Sequence, residues 1–174
     1  AGYRAVLEAS LVYPRFFPLL MTAAGTVPPA QALVIGVGVA GLSAIATARR
    51  LGAVVKAFDV RPAVQDQIKS LGAEPLALPI QADLEGQGGY AKAASEEILK
   101  AEQALFEQVA PTTDVIVTTA LIGGKEAPKL ITESAVRSMR PGSVIVDLAA
   151  EQGGNCALTR AGEVVEVNGE SILG

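Results

Sequence analysis

The stretch that decides the fold is Ala32-Leu33-Val34-Ile35-Gly36-Val37-Gly38-Val39-Ala40-Gly41. Its first four residues form a short apolar run typical of a buried strand, and residues 39–51 are suited to a helix rich in small side chains. Between them lies the pattern G-x-G-x-x-G, which predicts dinucleotide binding when it joins a strand to a helix. In this pattern Gly36 allows the tight turn, Gly38 lets a pyrophosphate approach the backbone, and Gly41 lets the helix pack closely.

An acidic residue at a suitable distance strengthens this interpretation. Asp59 follows the second apolar run, 54–58, and lies 18 residues after Gly41. A carboxylate at this position accepts hydrogen bonds from an adenosine ribose and repels a 2′-phosphate, which favours NAD over NADP. Arg61 leaves the other cofactor open, because a nearby arginine can accommodate a 2′-phosphate.

Strand-like and helix-like segments alternate along the rest of the chain. The predicted helices are 2–12, 39–51, 62–71, 91–110 and 130–139, and the predicted strands are 32–35, 54–58, 74–78, 114–118, 143–148, 163–167 and 171–173. This alternation predicts an α/β fold, namely a Rossmann-type, doubly wound parallel sheet with flanking helices. Counted from the strand at 32–35, the expected strand order is 3-2-1-4-5, followed by a C-terminal β-hairpin that turns at Asn168-Gly169. We expect residues 1–29 to be an N-terminal helix and connector, and residues 30–174 to be the NAD-binding domain.

Two of the predicted helices are amphipathic. The apolar stripe of the first consists of Tyr3, Val6, Leu7 and Leu11. That of the long helix at 91–110 consists of Ile98, Ala101, Leu105 and Val109, with Glu96 and Lys100 on the opposite side. Both stripes are expected to face the core.

Residues that directly follow the parallel strands are further candidates, because ligands of open α/β sheets bind at the carboxyl ends of the strands. They are Asp59, Val60, Arg61, Thr118, Thr119, Ala120, Leu121, Asp147, Leu148 and Ala149. The two threonines fit strand-end capping as well as ligand contact, and Asp147 fits a cap of backbone amides. The glycine-rich loop 86–90 is either a mobile lid that carries Tyr90 or a plain connection.

The composition excludes several kinds of chemistry. The 174-residue chain has no histidine and a single cysteine, Cys156, so an imidazole-based catalytic triad, a zinc or copper site and an internal disulfide are ruled out. Its 14 basic and 18 acidic residues give a net charge of −4 without a basic cluster, which argues against nucleic-acid binding. Any reaction must therefore come from carboxylates, backbone dipoles or a bound cofactor, and we expect no catalytic side chain and no metal.

A long uncharged segment raises the question of a membrane span. No charged residue lies between Phe16 and Ala48. However, Pro18, the pair Pro28-Pro29 and the glycine turn interrupt the segment, and irregular backbone is not tolerated in hydrocarbon. A buried strand followed by a buried helix explains these residues better. Because the chain begins at Ala1 without a Met or a basic leader, we expect part of a longer polypeptide that has no signal peptide.

Motifs beyond the glycine turn point to one family. They are RFFP at 15–18, GVGVAGL at 36–42, AIATARRLGAVV at 44–55, DVRP at 59–62, GGYAK at 88–92, TTALI at 118–122 and DLAAEQGGN at 147–155. Together they resemble the NAD(H)-binding component of proton-translocating NAD(P) transhydrogenase, over nearly the whole chain. The resemblance implies that this chain is the second, Rossmann-type domain of a two-domain component.

The resemblance also implies specific contacts and partners. It implies that Tyr90 lies on a mobile loop that closes over the nucleotide, and that NAD is contacted by Val39, Asp59, Val60, Arg61 and Gly89. It further implies hydride transfer from NADH on this component to NADP⁺ on a separate NADP(H)-binding component, coupled through a membrane component to proton movement. The implied assembly is a homodimer at the cytoplasmic face of a bacterial inner membrane, or at the matrix side in mitochondria. A loop expected before Ala1 would complete the nicotinamide site.

Two alternatives stay open. Alanine dehydrogenase is similar to this component, including the stretch around 152–154, where Glu151 falls at the position of an acidic catalytic residue. That enzyme also needs a lysine and a histidine from its first domain, and this chain contains no histidine. The other alternative is a module that binds NAD without turning it over.

Overall fold

The computed structural model describes residues 1–79 and 96–174. Its helices are α1 (Gly2–Val12), α2 (Val39–Arg50), α3 (Gln65–Ser70), α4 (Glu96–Val109) and α5 (Glu133–Ser138). Its strands are β1 (Leu20–Thr22), β2 (Gly25–Val27), β3 (Gln31–Ile35), β4 (Val54–Phe58), β5 (Glu74–Pro75), β6 (Val115–Thr118), β7 (Val144–Asp147), β8 (Val164–Val167) and β9 (Glu170–Leu173). Short 3-10 turns occupy Pro62–Val64, Ala110–Thr112 and Ala150–Gln152.

Seven of the described strands form one sheet in the order β5-β4-β3-β6-β7-β9-β8. All neighbours from β5 to β9 run parallel, and β8 closes the edge antiparallel to β9. This confirms the predicted α/β Rossmann-type fold and the order 3-2-1-4-5 for its first five strands. The C-terminal hairpin turns at Asn168 and Gly169, both with positive φ, as a two-residue hairpin turn requires. The hairpin extends the parallel sheet, so the sheet is mixed.

The register of the central strands places three chain segments at one edge. Ile35 at the end of β3 pairs with Phe58 at the end of β4 and with Thr118 at the end of β6. Because these three parallel strands end in register, the residues that follow them lie close together at the same edge of the sheet. Gly36, Asp59 and Thr119 are therefore neighbours.

Alternate side chains of the strands pack into two hydrophobic cores, one on each face of the sheet. In β6, Val115 and Val117 join the core under α1 and α2, whereas Ile116 joins the core under α4 and α5. Phe106 of α4 is fully buried and packs edge-to-face on Phe58, with ring centroids 5.3 Å apart. Helices on both faces explain why every residue of β6 and β7 is buried.

The N-terminal helix packs mainly through small residues, and its predicted stripe is right for the buried Val6 but wrong for Tyr3 and Leu11. The residues buried in α1 are Gly2, Ala5, Val6 and Ala9, whereas Tyr3 is 59% and Leu11 80% exposed. The reason is the close approach of α2, since a Cβ at Gly2 would lie 1.9 Å from the carbonyl oxygen of Ala40. Only small side chains fit between the two backbones.

Several predicted boundaries are also wrong. The expected connector contains a hairpin, β1–β2, and the strand expected at 74–78 shrinks to the two residues of β5. The helix expected at 62–71 is divided into a 3-10 turn and α3, and residues 91–95 of the expected long helix lie outside the described residues.

The helix expected at 130–139 begins later, at Glu133. Thr132 is its N-cap, as predicted, and accepts a hydrogen bond from the amide of Ala135 at 3.2 Å. Leu130 and Ile131 are buried just before the helix, and Ile131 forms an isolated parallel β-bridge with Cys156. Apolar side chains that we assigned to the helix therefore line the core before it begins.

The uncharged segment between Phe16 and Ala48 forms β1, β2, β3 and most of α2, which confirms its interpretation as a strand followed by a helix. Among the helices that the structure describes, none combines the length and the apolar character that crossing a membrane requires.

Candidate functional site

A cleft of about 320 Å³ opens at the carboxyl edge of β3, β4 and β6. It is lined by the glycine turn, by the residues after β4, by the segment after β6 and by one side chain of α4. The lining residues are Ile35, Gly36, Val37, Gly38, Val39, Ala40, Phe58, Asp59, Val60, Arg61, Glu102, Thr119, Ala120, Leu121, Ile122, Pro128 and Leu130. The cleft therefore lies where the rule for open α/β sheets places a ligand.

The glycine turn is held tightly on its inner side. Gly36 has φ +87°, and a Cβ there would lie 2.7 Å from the hydroxyl oxygen of Thr119. That hydroxyl donates to the carbonyl oxygen of Gly36 at 2.8 Å. A Cβ at Gly41 would lie 1.9 Å from the same carbonyl oxygen, so both positions require glycine for packing. Gly41 thus has the role predicted for it, close packing of the helix on the turn.

The turn is open on the side that faces the cleft. A Cβ at Gly38 would meet no atom within 4 Å, and the side chain of Val39 is 90% exposed. The first backbone hydrogen bond of α2 runs from the amide of Leu42 to the carbonyl oxygen of Gly38 at 2.9 Å. The amides of residues 39–41 therefore belong to the first turn, where helix amides have no acceptor within the helix. Amides at a helix N-terminus, with the partial positive charge of the helix dipole, favour a phosphate at this position.

Asp59 is tied to the glycine turn and to an arginine. Its Oδ2 accepts hydrogen bonds from the amide of Val37 at 2.8 Å and from Nη2 of Arg61 at 3.2 Å. Its Oδ1 accepts from the amide and from Nε of Arg61, at 2.9 and 3.0 Å. The Asp59 side chain is only 8% exposed. A ribose hydroxyl that reaches this carboxylate therefore has to share it with the Arg61 guanidinium.

A second carboxyl faces the cleft from α4. Glu102 is 2% exposed, and burial together with the nearby charge of Asp59 raises the pKa of its carboxyl to about 7. The buried positions of α4 are Ile98, Glu102 and Phe106, four residues apart. The predicted stripe is thus right for Ile98, whereas Ala101, Leu105 and Val109 are half-buried. Glu96 and Lys100 are exposed, as predicted.

The segment after β6 forms one wall of the cleft, and hydrogen bonds to the side chain of Asn155 hold it in place. The side-chain amide of the buried Asn155 donates to the carbonyls of Ala120 and Pro128, both at 2.9 Å, and its oxygen accepts from the amide of Ala120 at 3.0 Å. Leu121 follows and is 48% exposed at the cleft. Asn155 therefore positions a cleft wall without lining the cleft itself.

Asp147 stabilises the neighbouring strand ends. Its Oδ1 accepts from the hydroxyl of Thr118 and the amide of Ala149, and its Oδ2 accepts from the amide of Cys156 and the hydroxyl of Thr159. Both Asp147 and Thr118 are buried. These two residues therefore have the capping role that we considered, whereas Thr119 lines the cleft.

The structure brings most of the predicted site residues together. Those that line the cleft are Gly36, Gly38, Val39, Asp59, Val60, Arg61, Thr119, Ala120 and Leu121. Gly41 lies behind the turn, and Gly89 and Tyr90 lie outside the described residues. Sequence reasoning missed Glu102 and Asn155. The signal for Glu102 was a carboxylate four residues from both Ile98 and Phe106, and for Asn155 we find none.

The described residues contain no group of three or more carboxylate or cysteine side chains arranged to hold a metal ion. Burial raises the pKa of the Cys156 thiol, which is fully enclosed. The features of the cleft, namely backbone amides, a paired carboxylate and apolar walls, fit a nucleotide.

The chain is similar to proteins of known name over its full length. It is 56% identical over 178 residues to an NAD(P) transhydrogenase subunit alpha polypeptide of Rhodospirillum rubrum, in a match that covers all of this chain and 46% of that protein. The crystal structure of transhydrogenase from Sinorhizobium meliloti has a TM-score of 0.83 at 49% identity, over 99% of this chain and 46% of that chain. An L-alanine dehydrogenase structure has a TM-score of 0.75 at 26% identity, over all of this chain and 45% of that chain.

The chain thus spans about half the length of these relatives. The family model described as "Alanine dehydrogenase/PNT, C-terminal domain" matches residues 5–174. With its Rossmann-type sheet and its glycine turn at the cleft, the chain belongs to the alanine dehydrogenase/PNT C-terminal domain family.

Proposed function

We propose that this domain binds NAD(H) in the cleft and presents it for direct hydride transfer to NADP⁺ held by a partner component. The observation that carries the proposal is the hydrogen bond of 2.8 Å between the Val37 amide and Asp59, which joins the phosphate-binding turn to the ribose-binding carboxylate. The open side of Gly38 beside that bond leaves room for a pyrophosphate. Together they match the two ends of an adenosine diphosphate group.

The protein residues orient the nucleotide. Amides at the start of α2 bind the pyrophosphate, and Asp59 accepts hydrogen bonds from the adenosine ribose. Apolar side chains such as those of Val60 and Leu130 provide van der Waals contact for the base. When bound, the nicotinamide supplies the hydride chemistry, which needs no acid or base at the reacting carbons. This agrees with a chain that contains no histidine.

The wider assembly is part of the same proposal. It is supported by the similarity to transhydrogenase subunits, whose length exceeds that of this chain. We propose that this is the second domain of a two-domain component, that the component is a homodimer, and that it works with an NADP(H)-binding component and a membrane proton channel. It would act at the cytoplasmic face of a bacterial inner membrane, or at the matrix side in mitochondria.

Titration of the full-length protein with NADH and NADPH tests the binding step. The two ligands differ only in the 2′-phosphate, and a carboxylate at the position of Asp59 favours a ribose without this phosphate. We therefore expect NADH to bind at least about ten-fold more tightly than NADPH. Asp59→Asn should weaken NADH binding by about ten-fold, because it removes charge-assisted hydrogen bonds to the ribose. The matched control is Asp66→Asn, which removes an exposed carboxylate on α3. Equal affinity for both nucleotides in the unaltered protein would show that the cleft does not select NAD(H).

An activity assay then separates the candidate functions. NADH-dependent reduction of NADP⁺ by the full protein with its partner component supports the transhydrogenase proposal. Alanine-dependent reduction of NAD⁺ would instead support an alanine dehydrogenase, the alternative favoured by the TM-score of 0.75 to such an enzyme. Binding of NADH without either reaction would leave a module that binds NAD only.

A further inference from the structure

The charge of Asp59 is already compensated before any nucleotide arrives. Arg61 contacts both carboxylate oxygens through Nε and Nη2, at 3.0 and 3.2 Å. A carboxylate in an ion pair repels a phosphate weakly, and an arginine beside it attracts one. The pair of Asp59 and Arg61 therefore gives the cleft little net charge with which to exclude a 2′-phosphate.

Glu102 adds a negative charge to the same cleft. Among the described residues that line the cleft, the charged ones are Asp59, Arg61 and Glu102. None of the ion pairs found between described residues includes Glu102. Glu102 and Asp59 line the same cleft, and the charge of Asp59 contributes to the raised pKa of the Glu102 carboxyl. Within the part of the chain that the structure describes, an ionised Glu102 therefore shares the cleft with Asp59, the proposed ribose-binding residue, and has no ion-pair partner.

We propose that Glu102 is a second specificity-determining residue, whose carboxylate opposes binding of a dinucleotide that carries a 2′-phosphate on its adenosine ribose. The inference rests on the proposed binding of NAD(H) in this cleft. It concerns selection between nucleotides, because the same carboxyl faces NAD(H) without a phosphate to repel.

The selection should depend on pH. The pKa of the Glu102 carboxyl is raised to about 7, so the group is mostly neutral at pH 6 and mostly ionised at pH 8.5. A neutral carboxyl does not repel a phosphate and can donate a hydrogen bond. Discrimination against the 2′-phosphate is therefore expected to rise as the pH increases through 7.

The other charged side chains on α4, and those on the helix and turn that pack against it, do not line the cleft. On α4 itself, the other charged residues are all exposed, namely Glu96, Glu97, Lys100 and Glu107. On α5, which packs against α4, Glu133 and Arg137 pair with each other at 2.7 Å on the surface. The 3-10 turn after α4, Ala110–Thr112, carries no ionisable side chain. Among the described residues that line the cleft, the charged groups beside Glu102 are Asp59 and its partner Arg61.

The experiment measures the ratio of NADPH to NADH dissociation constants for the full-length protein at pH 6.0 and pH 8.5. The 2′-phosphate itself gains charge in this range, since its second pKa is about 6, so a neutral variant is needed as reference. That variant is Glu102→Gln, and Glu102→Met is a second neutral form in case the first folds poorly. Glu97→Gln removes an exposed carboxylate from the same helix and is the matched control.

We expect the ratio to rise about ten-fold more between the two pH values in the unaltered protein and in Glu97→Gln than in the neutral Glu102 variants. A rise of the same size in all four proteins, or a flat ratio in the unaltered protein, would overturn the role of Glu102. In both cases tight NADH binding would leave the proposed function standing. Failure of the unaltered protein to bind either nucleotide would overturn both.

Discussion

Alanine substitutions at two glycines of the turn should separate binding from folding. At Gly38 an added Cβ meets no protein atom within 4 Å, and the backbone has φ −87° and ψ −158°, which alanine adopts without strain. At Gly41 an added Cβ lies 1.9 Å from the carbonyl oxygen of Gly36, which is backbone and cannot rotate away. We therefore expect Gly38→Ala to impair nucleotide binding alone and Gly41→Ala to impair stability.

The magnitudes follow from these contacts. Relief of the clash at Gly41 requires α2 to move by more than about 1 Å, and overpacking of this kind costs about 3 kcal/mol. The better helix propensity of alanine returns about 1 kcal/mol, so the net loss is about 2 kcal/mol. For a domain of 174 residues that unfolds as one unit, this loss lowers the Tm of the domain's unfolding transition by about 4–8 °C. Gly38→Ala should cost less than about 1 kcal/mol, the typical range of N-cap changes. It should weaken NADH binding by about ten-fold or more, because its Cβ blocks the approach to the helix amides.

Thermal unfolding and NADH titration of the same full-length preparations provide the two measurements. Gly123→Ala is the matched control, because its added Cβ also meets no atom within 4 Å and Gly123 does not line the cleft. We expect this control to retain both Tm and NADH affinity. If Gly38→Ala binds NADH as tightly as the unaltered protein, the phosphate does not approach this turn. If Gly41→Ala is fully stable, α2 does not pack on the turn as described.

Three further predictions concern buried groups. Asp147→Ala leaves the buried Thr118 hydroxyl and two amides without an acceptor, and should lower the free energy of unfolding in urea by roughly 3–5 kcal/mol; a loss below about 1 kcal/mol would contradict the capping role. Burial raises the pKa of the Glu102 carboxyl from 4.5 to about 7, so ionisation of this residue lowers the stability of the folded protein as the pH rises through that interval. Glu102→Gln lacks this ionisation. Its free energy of unfolding, relative to that of the unaltered protein, should therefore increase by about 3 kcal/mol between pH 4.5 and pH 8. A constant difference across those pH values would show that Glu102 is solvated in the folded protein. Cys156 is fully buried with a raised thiol pKa, so its labelling by a disulfide reagent should follow global unfolding, and rapid labelling of the native protein would contradict its burial.

The architecture could be predicted from local patterns. A buried strand is recognisable from a run such as Leu33-Val34-Ile35, and a glycine turn from spacing, because both depend on φ/ψ preferences and periodicity within a few residues. Parallel strands joined by helices then have few allowed orders, and the observed order is the expected one. The same reasoning located Asp59 and Thr119 at the edge where the cleft opens.

Features that depend on contact between distant segments were not predictable in this way. The buried face of α1 was misassigned at Tyr3 and Leu11, because the close approach of α2 at Gly2 selects small residues over large apolar ones. The hairpin β1–β2 and the late start of α5 were missed for a similar reason, since tertiary packing decides whether a residue such as Ile131 is helical or forms a β-bridge with a distant segment.

The order of the strands, the glycine turn and the acidic residue that follows the second strand were all predictable from the amino-acid sequence, because they depend on the spacing of residues within short segments. Only the tertiary structure decided that Arg61 neutralises Asp59 and that Glu102, on a helix far along the chain from both, faces the same cleft. The physical reason is that a charge acts on its surroundings through space, and the distance between two carboxyl groups is set by packing rather than by their separation in the chain.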